Sequence, residues 1–257
     1  TQSTKTVTVN YDAGNTWPLP YTANWGALGS VQAGAQVVDG QWAIAGGRLE
    51  TVVPGYDRLV ALGDMSWTDY EVTVPVTVLS LNSDEWGSPS NGAGVGLLVR
   101  WLGHAETGSQ PNEGWRRFGA LAWYRWTPTG NAAFEMLGHG GRDLVKRTDQ
   151  TIALNTPYVF KLSVQSSTLD GVPASYRFKF WPEGDPEPAG WLMSTTGNGG
   201  EPRNGAIMLV AHQAMVSFGN VTVTPLPAGP FTINIQAPAT AASNSSPRKI
   251  PTPMASV

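Results

Sequence analysis

Apolar and polar side chains alternate along this chain with a period of two rather than 3.6. The clearest case is Tyr70–Leu81 (YEVTVPVTVLSL). Tyr70, Val72, Val74, Val76 and Val78 fall on one face, and Glu71, Thr73 and Thr77 on the other. Pro75 lacks a ladder donor, which predicts a sheet edge or a bulge there. Residues 93–101 (AGVGLLVRW) repeat the pattern: Val95, Leu97, Val99 and Trp101 share one face, and Gly94, Gly96, Leu98 and Arg100 the other. Further strands are predicted at 6–10 (TVTVN), 41–44, 48–53, 58–62, 117–126, 133–137, 158–165, 175–181, 206–211, 215–224 and 231–237 (FTINIQA). No window of twelve or more residues carries a helical period. So many strands without helices predict two packed sheets in an all-β, antiparallel sandwich.

Punctuation agrees with periodicity. Thirty glycines and twenty prolines separate short runs rich in Val, Thr, Tyr, Phe and Trp. The 257 residues are 41% hydrophobic and 14% charged, enough apolar material for one large core. Residues 1–225 are read as that domain. Residues 226–257 are read as a stiff linker (PLPAGP), one strand-like segment and a Pro/Ser/Thr-rich tail. Ordering such a tail takes a surface to lie on, either the chain's own sandwich or a neighbouring subunit.

Charge and cysteine exclude several classes of function. A net charge of −3 argues against nucleic acid and anionic membrane as partners. No apolar run approaches the roughly 18 residues of a membrane span. Without cysteine there is no disulfide framework and no thiolate chemistry. His104, His139 and His212 lack ligand spacing, which argues against zinc. The balance of Thr, Ser, Gly and Trp over Lys favours a secreted or cell-surface protein, and a start at Thr1 fits a processed chain and a trimmed one alike.

Several stretches resemble bacterial concanavalin A-like lectin/glucanase (laminin G-like) jelly-roll domains. Residues 178–191 (FKFWPEGDPEPAGW) match a strand ending in Trp-Pro-x-Gly followed by an acidic-Pro dipeptide and a Trp. Residues 215–224 (MVSFGNVTVT) match the closing strand, and 62–70 (LGDMSWTDY), 96–100 (GLLVR) and 158–164 (YVFKLSV) fit as well. The resemblance spans about residues 36–225. It implies a jelly roll, and such domains serve as glycosidases, lyases, lectin-like modules and structural units. It also implies a structural calcium, for which Asp12, Asp39 and Asn220 are the candidate oxygen ligands, although relatives often carry Asp where Asn220 stands.

Three sets of side chains bear on function. Glu183, Asp185 and Glu187 share the spacing of the laminarinase-type catalytic strand, but Pro182, Pro186 and Pro188 interrupt any ladder, which predicts an exposed loop. Asp84, Glu85, Glu106 and Glu113 lie in Gly/Ser/Asn-rich loops near Trp86 and Trp115 and could bind or cleave a glycan. In EGWRRFGALAWYRWTPTG, Phe118, Ala120, Ala122, Tyr124 and Trp126 are predicted to face the core. Arg117, Gly119, Leu121, Trp123 and Arg125 are predicted to face outward beside Arg100, with Gly94 and Gly96 leaving room above the sheet. Trp stacks on sugar C–H faces and Arg pairs with carboxylates, so that face suits a polyhydroxylated or uronate ligand. The alternative is that a loop or another subunit covers it.

Three functions stay open on the sequence. The first is an extracellular, non-catalytic carbohydrate-binding or surface-associated module with a polysaccharide partner and no assigned catalytic residue. The second is a structural subunit of a filament or surface layer, a homo-oligomer joined by strand addition through 6–10 and 231–237. The third is a glycoside hydrolase or polysaccharide lyase. Asn220-Val221-Thr222 and Asn244-Ser245-Ser246 match the N-glycosylation pattern; the first lies inside a predicted strand, which argues against its use, and in a bacterial protein both would be chance matches.

Overall fold

Two antiparallel sheets face each other across one apolar core. The computed structural model describes residues 17–83, 92–103, 117–127, 132–169 and 171–227. Numbered in chain order, sheet A holds β1 (Tyr21–Ala23), β3 (Trp42–Ala45), β4 (Arg48–Thr51), β6 (Tyr70–Leu81), β11 (Pro157–Gln165), β12 (Ser175–Pro182), β13 (Met193–Thr196), β15 (Ala214–Phe218) and β16 (Val221–Pro225). Sheet B holds β2 (Gln36–Asp39), β5 (Arg58–Leu62), β7 (Gly94–Trp101), β8 (Ala120–Arg125), β9 (Ala133–Gly138), β10 (Arg142–Arg147) and β14 (Ala206–His212). The order in sheet A is β13-β12-β11-β6-β15-β4-β3, with β16 paired to β6 and β1; sheet B runs β10-β9-β8-β7-β14-β5-β2. The chain passes repeatedly between the sheets, from β1 to β2, β2 to β3, β4 to β5, β5 to β6, β6 to β7, β10 to β11, β13 to β14 and β14 to β15, which is the winding of a jelly roll.

The alternation read from the sequence places the core. Tyr70, Val72, Val74, Val76 and Val78 of β6 point inward beside Phe160, Leu162 and Phe178 of β11 and β12 in the same sheet, and across the core stand Val95, Leu97 and Val99 of β7 and Ile207 and Leu209 of β14. An aromatic file of Tyr124, Phe134, Phe160, Phe178 and Phe180 closes one end, with ring centroids 4.4 to 6.3 Å apart. Strands β1, β2, β10 and β13 have no counterpart in the sequence expectation, because each is short and only half apolar. The predicted strand 215–224 is two strands, β15 and β16, broken at Gly219 and Asn220.

That break explains Pro75, which lies mid-sheet and not at an edge. β6 pairs with β11 on one side and with β15 then β16 on the other. β15 pairs as far as Val76 and β16 begins at Thr73, so Pro75 falls opposite the gap. Its carbonyl still accepts from Gly219 N at 2.7 Å. A Cβ on Gly219 would stand 2.8 Å from the Pro75 ring, so the glycine makes room for the proline. Trp25 plugs the same gap: its Nε1 donates to Gly219 O at 2.9 Å, and its backbone N donates to Asn220 Oδ1 at 3.1 Å.

Candidate functional site

The expected binding face lies on the outer side of sheet B and departs from expectation at two points. Arg100 takes φ 58°, and β14 pairs Ala206 with Trp101 but Met208 with Leu98, so two residues of β7 oppose one of β14. This bulge reverses the alternation. Trp101 turns outward to join Leu98, Phe118, Leu121 and Met208, and Arg100 turns inward to 1% exposure. Phe118, expected in the core, also belongs to this outer cluster, because β8 begins its inward alternation only at Ala120. The Arg100 guanidinium donates to Thr68 O, Asp69 Oδ1, Ser166 Oγ and Pro202 O at 2.6 to 3.3 Å. It is a structural clamp at the sandwich edge, not a group on an open face.

The second departure concerns Gly94 and Gly96, which do not leave open space. Gly96 lies opposite Trp123 in the β7–β8 pairing, and the Trp123 ring lies over Gly94, 2.5 Å from where a Cβ would be. Trp123 is 8% exposed, with the Arg125 guanidinium 5.3 Å from its ring centroid. Around the pair stand Glu135, bonded to Lys146 at 2.7 Å and 3.7 Å from Arg125, and His212, whose Nδ1 lies 2.8 Å from Asp57 Oδ1. Tyr56 and Trp123 both meet the His212 ring edge-on. Trp123 Nε1 and Arg125 Nε are buried without a hydrogen-bond partner. Arg117 lies ahead of β8, exposed. Trp86, Trp115, Asp84, Glu85, Glu106, Glu113, Asp12 and both terminal strand-like segments lie outside the described residues.

The described residues do not fit a calcium. Asp39 pairs with Arg58 at 3.0 Å, while burial pushes its carboxyl above the ordinary value. Asn220 spends its carbonyl oxygen on Trp25. Among the described residues no group of three or more His, Asp or Glu is arranged to hold a metal ion.

The open concave feature lies elsewhere, at the far end of β11 and β12. A groove of about 750 Å³ runs between residues 150–151 and the loop 182–192. Tyr158, Phe180, Trp181 and Trp191 line it, all half-buried, with Lys179 beneath and Gln150 and Asp185 as polar groups. Charge holds its wall in place. Lys161 and Lys179 stand directly opposite each other on the outer face of sheet A, a repulsive arrangement by itself. Glu187 bridges them at 2.8 and 2.6 Å, and Glu71 adds a contact to Lys161 at 3.2 Å. Lys179 also donates to Pro188 O at 2.8 Å and lies 4.6 Å from the Trp191 ring centroid; Arg177 lies 5.0 Å from it. The loop is exposed, as its prolines predicted, but Glu187 is pinned rather than free.

Burial alone would raise the Glu187 carboxyl. The hydrogen bonds and charges of Lys161 and Lys179 outweigh it and hold the group below the ordinary carboxylate value. A carboxyl depressed in the folded state stabilises the fold above its unfolded pKa of about 4.3 and loses that contribution as pH falls through the folded value. The stability difference between the parent protein and Glu187→Gln is therefore expected to be constant near neutrality and to shrink with acidification below about pH 4. Thermal melts of both across pH check this; a difference independent of pH would show that Glu187 is not held by the lysines.

The comparisons locate the fold. No family model matches the chain, and no curated protein matches it. Among solved structures, the Emp46p carbohydrate recognition domain in its potassium-bound form is 10% identical, with a TM-score of 0.53 over 81% of this chain and 98% of that one. The VIP36 exoplasmic/lumenal domain in its Ca2+/Man2-bound form is 11% identical, with a TM-score of 0.53 over 80% and 87%. Alginate lyase Aly36B in complex with alginate trisaccharide is 13% identical, with a TM-score of 0.50 over 82% and 100%. The likeness is one of fold: the chain is an antiparallel jelly-roll β-sandwich.

Proposed function

We propose that this protein is a non-catalytic carbohydrate-binding module acting outside the cell, and that it seats a glycan in the groove beside β12. The groove itself carries the reading. Four aromatic rings line a cleft within the 300–1,000 Å³ usual for ligand sites, and amide, carboxylate and ammonium groups stand among them. Aromatic rings offer flat apolar area to sugar C–H faces, and the polar groups meet hydroxyls. The loop is pre-organised by the Lys161–Glu187–Lys179 bridge, so little ordering entropy is lost on binding. Glu187, held ionised by two lysines, is unsuited to act as a general acid near neutrality, which supports binding over cleavage. Composition and the lectin-like neighbours support the extracellular setting. Among the described residues no helix is long and apolar enough to cross a membrane.

The test is native affinity electrophoresis against neutral and uronate polysaccharides, mannan and alginate among them. Trp191→Ala is expected to weaken retention about tenfold, the value of one lost stacking contact. Unchanged retention in that variant, with the fold intact by circular dichroism, overturns the groove as the site. Release of reducing or unsaturated ends from any of the panel overturns the non-catalytic assignment.

A further inference from the structure

A second concave feature lies at the opposite end of β12. It is a cavity of about 120 Å³, room for about four water molecules. Arg100 and Ala174, both buried, form its floor, and Gly171, Val172, Gly199, Gly200 and Arg203 its exposed rim. Ser166, Ser167 and Glu201 supply further polar groups. Glu201 is fixed by one oxygen only: Oε1 accepts from Ala174 N at 3.0 Å, while Oε2 is buried with no partner. A buried carboxylate oxygen without a partner is uncommon, and one in the lining of a small polar cavity marks a place where a donor is missing.

The charges choose the ligand. A carboxylate or phosphate would meet the free oxygen of Glu201, and an ammonium would meet Arg100 and Arg203. The ligand that suits both is neutral and carries donors and acceptors on adjacent atoms. A vicinal diol does this: one hydroxyl donates to Glu201 Oε2, and its neighbour accepts from the Arg203 guanidinium or from Ser167. The cavity is too small for a chain and large enough for the hydroxyl-bearing edge of one sugar ring. We propose that the Arg100–Glu201 cavity is a second sugar site, which takes the vicinal diol of a single terminal sugar. It stands independently of the groove: along β12, Ser175–Phe178 separate Ala174 at the cavity from Lys179 at the groove by about 16 Å at the usual rise of a strand.

The experiment is an amide shift titration of the 15N-labelled protein with methyl glucoside, methyl mannoside and methyl galactoside. At least one glycoside is expected to shift Ala174, Gly199 and Gly200 with an affinity in the millimolar range. Glu201→Gln keeps the acceptor for Ala174 N and replaces the free oxygen with a donor, and should weaken that binding about tenfold. Arg203→Ala, on the exposed rim, should weaken it without touching the buried floor. Cavity amides that stay still at saturating glycoside mean water only, and overturn the proposal. Glu201→Gln and Arg203→Ala titrating like the parent also overturn it. Shifts confined to Trp181 and Trp191 leave the groove reading standing and remove this one; shifts confined to the cavity do the reverse.

Discussion

Replacing Arg100 by Ala is expected to lower stability by about 3 kcal/mol, the usual scale for breaking a buried charge pair by removing one partner. In a domain of this size that corresponds to a fall in Tm of roughly 6–12 °C. The size follows from what the guanidinium holds. Its five contacts tie Thr68 and Asp69, just ahead of β6, to Ser166 after β11 and to Pro202 in the loop before β14. Removing it leaves the carbonyls of Thr68 and Pro202 short of a donor and the Asp69 carboxylate, 18% exposed, short of a counter-charge. Asp69 keeps one bond, from Ser166 N at 2.6 Å, so the loss is partial rather than total. The Arg100 backbone is locked too: its N donates to Tyr70 Oη at 2.8 Å, and that hydroxyl donates to Gly205 O at 2.8 Å. Arg100→Lys keeps the charge but not the planar fork and should fall between the two. Melts of the three proteins decide the matter. A change below about 2 °C for Arg100→Ala would mean that the clamp contributes nothing beyond what water supplies.

The same residue marks where sequence reading stops. Period-two alternation placed β6, β7, β11 and β14 and most of the core, because each strand buries one face and that face is written locally. It failed at Arg100 because a bulge is set by the register of β14, which lies a hundred residues away in the chain. The jelly-roll phrase FKFWPEGDPEPAGW was recognised as a mark of fold, yet its two tryptophans line the groove. The signal was the phrase itself, two tryptophans held by proline turns beside strand lysines. What hid it was that Tyr158, on β11, and Gln150 come from elsewhere in the chain, and that Glu187 finds its lysines only once β11 and β12 pair. On the face that the sequence nominated, Trp123 and Arg125 stand together and β9 adds Glu135, which the sequence reading did not name, but Trp123 fills the space that the glycines were expected to leave.

That filled space gives the second large effect. Gly96→Ala is expected to destabilise the protein by about 3 kcal/mol, the upper end of what overpacking does, where Gly→Ala at an unhindered site stabilises by about 0.4–1 kcal/mol. The new Cβ would run into Ala122 O and Trp123 Cβ, and would stand 2.7 Å from Trp123 Cα. Two of these three atoms are backbone of β8, so no rotamer change relieves the clash; β7 and β8 must part. They are the central pair of sheet B, joined from Gly94↔Arg125 to Val99↔Ala120, and they carry the inward-facing Val95, Leu97, Ala122 and Tyr124. Parting them loosens the core on one side and lifts Trp123 from its seat on the other. Gly29 is the control, because nothing lies within 4 Å of its Cβ position and its φ is not in the left-handed region. Gly29→Ala should be neutral or slightly stabilising by the same denaturant titration, with a Trp123→Phe background separating lost ring contacts from strand separation. Equal midpoints for Gly96→Ala and Gly29→Ala would show that β7 and β8 do not approach as closely as their pairing requires.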